Sequence, residues 1–373
     1  MPIVIQPYLP EHEAAVQRFN QRVLAGVPDP DLVFFRYAEP RWLPKVAGRT
    51  VYQEYFVALD NGAVRGGYAL KRQNFSFADA SVRSIGYYHH PLSEGIVDKS
   101  YGMVGALLLR DAMQRSPLLY CLGMGGYDRP LPKMLIKLGW SHCAVPFYFK
   151  VVHPYKFLRQ MQALRTSPLR RSLMDTAAFT GSGWLTAKML DVINKLKTPR
   201  DPACSAQVVE QFSGWADPLW QQSKNSCTLT AVRDSSVLSD LYPREEKNLT
   251  RLRISRNGSD IGWAVVGERR KDAKYGSMRV GSIVDCWAAP EHALAVVRAA
   301  ERALKERGMD LIVSNQSHES WCRAFESAGF FQAESSFIFA ASKKLMEHLP
   351  QFAEVRPRMH FTRADGDGLP ANF

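Results

Sequence analysis

Residues 84–94 read Ser84-Ile85-Gly86-Tyr87-Tyr88-His89-His90-Pro91-Leu92-Ser93-Glu94, and after Gly95-Ile96-Val97-Asp98 the chain continues Lys99-Ser100-Tyr101-Gly102-Met103-Val104-Gly105. The aromatic run over Ser84–His90 predicts a strand. The glycines that follow lead into the apolar Leu107-Leu108-Leu109, and this predicts a helix from about Tyr101 to Gln114. Ahead of the strand, Tyr55–Leu59 and Gly67–Arg72 read as a hairpin joined at Asp60-Asn61-Gly62. Behind the helix come an apolar strand Leu118–Leu122 and a short helix Leu131–Leu138 capped by Gly139. A strand Val145–Val152 closes the half.

The same order recurs later. Leu249–Ile254 and Ile261–Val266 flank a turn at Arg256-Asn257-Gly258, and a strand Val280–Trp287 follows. A helix from about Glu291 to Arg307 then carries Leu294, Val297, Ala300 and Leu304 at helical spacing and ends at Gly308. The strand Leu311–Ser314, a helix Glu319–Ala328 capped by Gly329, and a strand Ser335–Ala341 complete the series. Ser84-Ile85-Gly86 matches Ser282-Ile283-Val284 at an offset of 198, and Leu138-Gly139-Trp140 matches Ala328-Gly329-Phe330 at 190. Two landmarks at nearly one offset, with the same elements between them, predict an internal duplication.

The chain has 373 residues, a length that suits two domains. With 46% apolar and 23% charged residues it is globular in composition, and no apolar run is long enough to span a bilayer. The opening Met-Pro-Ile-Val lacks the features of a secretory signal. The cysteines Cys121, Cys143, Cys204, Cys227, Cys286 and Cys322 lie far apart, with no Cys-x-x-Cys pair. Together these predict reduced thiols, a cytoplasmic setting and no metal site. The net charge of +12 points to an anionic partner. Nine Lys/Arg against two Asp fall within 151–200, among the helical-looking Tyr155–Leu164 and Trp184–Leu196. That stretch reads as a basic helical connector, with peripheral contact to an anionic membrane as its functional option. The tail from Ala364 is polar and Gly-rich and predicts a frayed end.

Hairpin, long strand, helix, strand, helix ending in Leu-Gly-aromatic, strand: this order resembles the GNAT superfamily of acyl-CoA-dependent N-acyltransferases. Ile3–Tyr8 and the following helix, with Val16, Phe19 and Val23 inward, resemble that family's first strand and helix. The resemblance implies an α/β chain with mixed sheets and two GNAT-like lobes. They are 1–152 and 205–345, joined by the connector 153–204 and followed by a tail 346–373.

By the same resemblance, Lys99-Ser100-Tyr101-Gly102-Met103-Val104-Gly105 is the turn that meets the pyrophosphate of acetyl-CoA or a longer acyl-CoA. Val104 departs from the small residue usual there. The second half offers Ala289-Pro290-Glu291-His292 instead, with an acid and no glycine, which implies a copy without its own donor site. Acyl transfer to an amine needs a proton acceptor. The resemblance places it at the end of the fourth strand, where His89, His90 and, through a water, Glu94 are the choices. Strict alternation puts His89 and His90 on opposite faces. The tyrosine usual as general acid is replaced by Leu135 and Phe325, which leaves Tyr127 as the candidate acid. Tyr87, Asp285 and Arg233 are candidate acceptor contacts.

The implied reaction is transfer of an acyl group to a small-molecule primary amine, such as an amino sugar of a surface polysaccharide pathway, with nucleic acid not expected as partner. A Fem-like transferase using aminoacyl-tRNA, drawn by the basic connector, and a non-catalytic scaffold, drawn from Val104, Leu135 and Phe325, are the alternatives.

Overall fold

The computed structural model describes residues 3–29, 32–37, 42–161, 204–268 and 275–366. Most of the basic connector, 162–203, lies outside the described residues, and with it the expected membrane contact.

In the first half β1 (Val4–Pro7) leads into α1 (Glu13–Gly26), whose Val16, Phe19 and Val23 are fully buried. β2 (Tyr52–Asp60) and β3 (Ala63–Phe77) form a hairpin across Asn61 and Gly62, at φ of 48° and 75°. Two left-handed residues match the right-handed twist of the flanking strands. β4 (Val82–Ser93), α2 (Val104–Arg115), β5 (Leu119–Cys121), α3 (Pro130–Lys137) and β6 (Ser141–Ala144) follow, then β7 (Phe147–Val151) and α4 (Pro154–Gln160).

The second half starts with β8 (Cys204–Val209), α5 (Ala216–Ser223), β9 (Leu229–Ala231) and α6 (Ser235–Leu241). β10 (Leu249–Arg256) and β11 (Ser259–Glu268) turn at Asn257 and Gly258, again left-handed at φ of 52° and 81°. β12 (Val280–Ala288), α7 (Ala293–Glu306), β13 (Leu311–Asn315), α8 (Glu319–Ser327) and β14 (Phe331–Ala333) come next. β15 (Ile338–Ala341), α9 (Lys343–Met346), α10 (Phe352–Val355) and β16 (Met359–His360) end the described chain, β16 pairing in parallel with β9.

These elements form two compact units, each with a mixed sheet. The first takes in Met1–Phe75, Val82–Cys143 and Ile338–Phe352, and the second Ser76–Ser81, Ala144–Phe337 and Ala353–Phe373. Strand order is β1-β2-β3-β4-β5-β15-β6 in the first sheet and β14-β7-β13-β12-β11-β10-β8 in the second. The units are therefore not the contiguous blocks 1–152 and 205–345 expected from sequence. β7 closes no sheet in its own half. It pairs antiparallel with both β13 and β14, and β15 pairs antiparallel with β5.

Burial gives the reason. Tyr148 of β7 is fully buried, stacked on Phe325 with ring centroids 5.3 Å apart, while Phe147, Phe149 and Val151 pack against Leu311 and Val313 from the opposite face. A strand covered on both faces, here with Lys150 beside Tyr148 paired to Glu301 at 2.7 Å, suits an interior position in a sheet. All four residues of β15 are likewise buried. Trp220, Trp263 and Trp287 are buried as well and serve as packing residues. All six cysteines are free, five of them buried, and among the described residues no helix is long and apolar enough to cross a membrane.

Tyr148→Ala removes an interior ring and is expected to cost about 3–5 kcal/mol in chemical denaturation, whereas Val82→Ala at an exposed position changes stability by less than about 0.5 kcal/mol. Equal small effects would remove β7 from the interior of the second sheet.

Candidate donor and acceptor site

The site of the first unit begins where pairing stops. β4 and β5 are parallel neighbours at Gly86↔Leu119 and Tyr87↔Tyr120 only. β4 then runs on to Ser93, while β5 ends at Cys121, so Tyr88–Ser93 extend past the end of β5. Tyr87 spans the start of the opening, its hydroxyl donating to the Leu122 carbonyl at 2.9 Å. Beyond Leu122, Gly123, Met124, Gly125 and Gly126 all have positive φ, so the chain leaves β5 abruptly. A parallel pair that parts in this way presents open main-chain donors and acceptors, the groups an extended amide-bearing ligand can pair with.

His89 lies on β4 two residues past Tyr87, and their rings stack with centroids 4.8 Å apart and planes 8° from parallel. Its Nε2 is 2.9 Å from Gln53 Oε1, and Gln53 Nε2 donates to Tyr55 Oη at 2.5 Å. With Oε1 as the facing atom, His89 donates from Nε2 and carries its lone pair on Nδ1. Burial, helped by His90 and by Lys71, holds the proton affinity of His89 well below the ordinary value, so the ring is neutral at pH 7. Lys71, fully buried on β3 opposite Gln53, has its ammonium 5.6 Å from the Tyr87 ring centre.

His90 departs from the alternation expected of a strand. Its φ is +49°, and Phe35 meets both His89 (6.0 Å) and His90 (4.6 Å), so the two imidazoles share a side. His90 Nε2 donates to the Val33 carbonyl at 2.8 Å.

The expected phosphate turn is built in two steps. Asp98 accepts from the Ser100 amide and hydroxyl and starts a 3-10 turn over Lys99–Tyr101, after which Gly102 and Met103 lead into α2 at Val104. Lys99, Ser100, Gly102 and Met103 are exposed, and the first turn of α2 holds no acid. Its leading amides face outward with the positive end of the helix dipole. Val104 points the other way, fully buried against Leu108 and Tyr68, which explains why a larger residue is tolerated there. Gly105 has open space around it, its added Cβ meeting only Ser93 at 4.0 Å. Gly95 was not singled out from sequence. A Cβ there would lie 2.8 Å from the Tyr101 carbonyl, so this glycine lets the two short turns pack together.

Glu94 is not available as a base. Both of its oxygens are held by Arg22 (2.7 and 2.9 Å) and by Arg65 (3.2 and 3.1 Å), and Arg65 also covers the Tyr101 ring at 4.2 Å. Burial pushes its pKa up, but the two guanidiniums outweigh that and hold the carboxylate below the usual range. Glu94 thus fastens α1 and β3 beneath the turn. Tyr127 is 40% exposed, with its hydroxyl 3.3 Å from His142 Nδ1. Leu135 and Phe325, at the positions where a general acid was sought, are fully buried core residues.

In the second unit the corresponding opening is closed by the chain itself. β12 and β13 pair in parallel only from Val280↔Leu311 to Ser282↔Val313. Further on, Ser314 Oγ donates to the Ile283 carbonyl at 2.9 Å, and Thr362 bridges to Gln316. Arg233 and Asp285, expected to touch an acceptor, are each 1% exposed. Arg233 donates to Asp285 (3.1 Å), Asp365 (2.8 Å), Thr362, Thr230 and the Ala231 carbonyl, and Asp285 also accepts from Tyr242 and Thr362. No valence is left for a substrate. The tail is buried through Asp365 rather than frayed from Ala364 on. Pro290 and Glu291 at the start of the following helix offer a missing N–H and a carboxylate in place of free amides.

No protein-family profile matches the chain, and no curated protein matches it in sequence. Solved structures do match. Saccharomyces cerevisiae N-myristoyltransferase with bound myristoyl-CoA and inhibitors is 9% identical, with a TM-score of 0.53 over 91% of this chain and 80% of that one. A GCN5-related N-acetyltransferase from Anabaena variabilis is 9% identical, with a TM-score of 0.52 over 91% of this chain and 72% of that one. The chain has a tandem GNAT fold. Each GNAT-like unit contributes one parallel pair that parts, and only the first leaves the parting open.

Two substitutions separate fastening from function. Arg233→Met leaves two buried carboxylates unpaired and is expected to cost about 3–5 kcal/mol in denaturant unfolding. Glu94→Gln is expected to cost about 1–2 kcal/mol, since Arg22 and Arg65 stay partly solvated. Because the folded pKa of Glu94 is depressed, its contribution is present above the unfolded carboxylate pKa and lost as pH falls through the lower folded one. The gap between wild type and Glu94→Gln should therefore close on acidification, and a constant gap would sink this assignment.

Proposed function

We propose that the chain is an N-acyltransferase whose first unit binds acyl-CoA and transfers its acetyl or longer acyl group to a primary amine. The observation that carries this reading is the parting of β4 and β5 beyond Tyr87↔Tyr120, next to an acid-free helix N-terminus at Val104. The outward amides of Met103–Ala106, relieved of side-chain bulk at Gly102 and Gly105, suit a pyrophosphate, and Lys99 adds a cation. The open edge of Tyr88–Ser93 suits the amides of an extended pantetheine arm. The names of the two proteins of like fold, one holding myristoyl-CoA, support the same donor class.

Bound acyl-CoA supplies the acyl carbon as a thioester. The chain's own groups orient the acceptor and move its proton. His89 is the base: its neutral Nδ1 takes the proton that the attacking amine gives up as the C–N bond forms and the C–S bond breaks. Gln53 fixes the tautomer, and Tyr87 holds the ring plane. Tyr127 is too exposed, and too engaged with His142, for the acid role expected of it, so the thiolate leaves with a proton from solvent. With Arg233 and Asp285 committed to the tail, the acceptor is a primary amine of a class other groups select.

Titration calorimetry with acetyl-CoA and dodecanoyl-CoA should give binding, and Gly105→Asp, which brings a carboxylate to the helix N-terminus, should weaken it by about tenfold. A protein that binds neither donor is not an acyl-CoA enzyme. His89→Gln should lower kcat by about 100-fold or more. Since the proton affinity of His89 is depressed, the acid limb of the wild-type kcat/KM profile should fall below the ordinary histidine pKa of about 6.5. A limb at or above that value would rule His89 out as the base.

A further inference from the structure

The sheet of the first unit holds a buried cation close to His89. Lys71 stands opposite Gln53 in the β2–β3 register, and Gln53 is the residue whose side chain meets His89 Nε2. The Lys71 ammonium lies 5.6 Å from the centre of the Tyr87 ring, and the His89 ring stacks on that same ring at 4.8 Å. Lys71 is 0% exposed and His89 7%, so the ammonium acts through space while an edge of the imidazole stays in reach of a substrate. Gln53 and Tyr55 on β2, Tyr87 on β4 and the Phe35 ring ahead of β2 add no acid around His89, and His90 is the second titratable base. The carboxylates of β2, α1 and the end of β4 are committed elsewhere. Glu54 pairs with Lys45 and Arg72, both at 3.3 Å, Glu13 accepts from the Tyr8 hydroxyl and the Tyr37 amide, and Glu94 holds Arg22 and Arg65. Among the described residues, the charges that bear on the His89 proton come from His90 and Lys71, and both disfavour a second cation.

We propose that Lys71 selects the acceptor: its buried ammonium near His89 admits the amine as the uncharged base, which favours weakly basic primary amines over alkyl amines. The inference rests on the acyltransferase reading with His89 as the base, and goes beyond it in naming the acceptor class. Away from water a cation brought beside a fixed cation is repelled, and none of the carboxylates named above is offered to an incoming ammonium. What it takes to arrive uncharged depends on the amine. A lysine-like ammonium, with a pKa of about 10.4, has shed its proton in about one molecule in 2,500 at pH 7, and an α-amino group of pKa about 8 in about one in ten. An aryl amine, its lone pair delocalised into the ring, arrives uncharged throughout this range. An imidazole of lowered basicity cannot deprotonate a free alkylammonium, but it can take the acidic N–H proton of the tetrahedral adduct. There the C–N bond has formed. As the C–S bond breaks, the amine's proton passes to His89 Nδ1, and the thiolate leaves and is protonated by solvent. Lys71 disfavours the imidazolium so formed and returns its proton to solvent.

The experiment uses full-length protein, acetyl-CoA as donor, and aniline and benzylamine as acceptors of similar size and different basicity. Wild-type kcat/KM at pH 7 should favour aniline by at least about tenfold, and Lys71→Met should shrink that preference by about tenfold. In the same variant the His89 imidazole, followed by NMR and assigned by its loss in His89→Gln, should titrate about one pH unit higher. Lys71→Arg keeps the charge and should keep both the preference and the low titration. Lys71→Gln repeats the test with a neutral polar side chain at the buried position. A wild type that accepts benzylamine equally, or a preference that survives loss of the charge, overturns the inference. So does a His89 titration that is the same with and without the Lys71 charge, and so does bound acetyl-CoA with neither amine acylated. Each of these leaves donor binding, and with it the acyltransferase reading, standing, whereas a protein that binds no acyl-CoA removes both.

Discussion

The parallel pairing of β4 and β5 lasts for two residue pairs, and the function proposed for this protein depends on its ending there. Parallel strands lose a shared ladder when one of them turns away, and β5 turns away at once because Gly123–Gly126 all take left-handed or extended positive-φ backbone. Tyr88–Ser93 then run on past the end of β5, with β3 as the neighbouring strand on the other side. Tyr87, reaching the Leu122 carbonyl, sets how far the two strands are apart at the apex. Around that opening stand a helix N-terminus without acids and a neutral imidazole whose tautomer is fixed by Gln53.

The second unit repeats the parting of its parallel pair and closes it. Ser314 and Thr362 span the gap, and Arg233 neutralises Asp285 and Asp365 in an interior where unpaired carboxylates would be strongly unfavourable. Two copies of one supersecondary plan thus differ in what lies between the two middle strands: in one an open edge, in the other a strap from the end of the same chain. The interior of the second unit is packed around the fully buried Trp263, Trp287 and Tyr242.

Local patterning made the elements legible. The Asn-Gly turns, the glycine caps at 139, 308 and 329, and the helical spacing of Leu294, Val297, Ala300 and Leu304 are short-range features, and the expected elements of the two halves that fall on described residues lie within about five residues of their observed ranges. The site was legible in part. His89 and the glycines of 102–105 stood out by residue type, while Gly95 did not, because its role is a close approach to Tyr101 across the turn. Glu94 looked like a base because a carboxylate near a strand end always can be one. What it does depends on Arg22, 72 residues away in sequence.

The sequence by itself determined the repeated order of strands and helices, the hairpin turns and the helix that begins at Val104, because each follows from neighbours within about four residues. The tertiary structure alone decided which sheet receives each copy's last strand, since β7 and β15 carry covered residues on both faces and any interior slot satisfies that pattern equally. It also decided which charged residues remain for chemistry. Arg233, Asp285 and Glu94 carry the same side chains that sites use, and only their partners at 2.7–3.2 Å show that they hold the fold together instead.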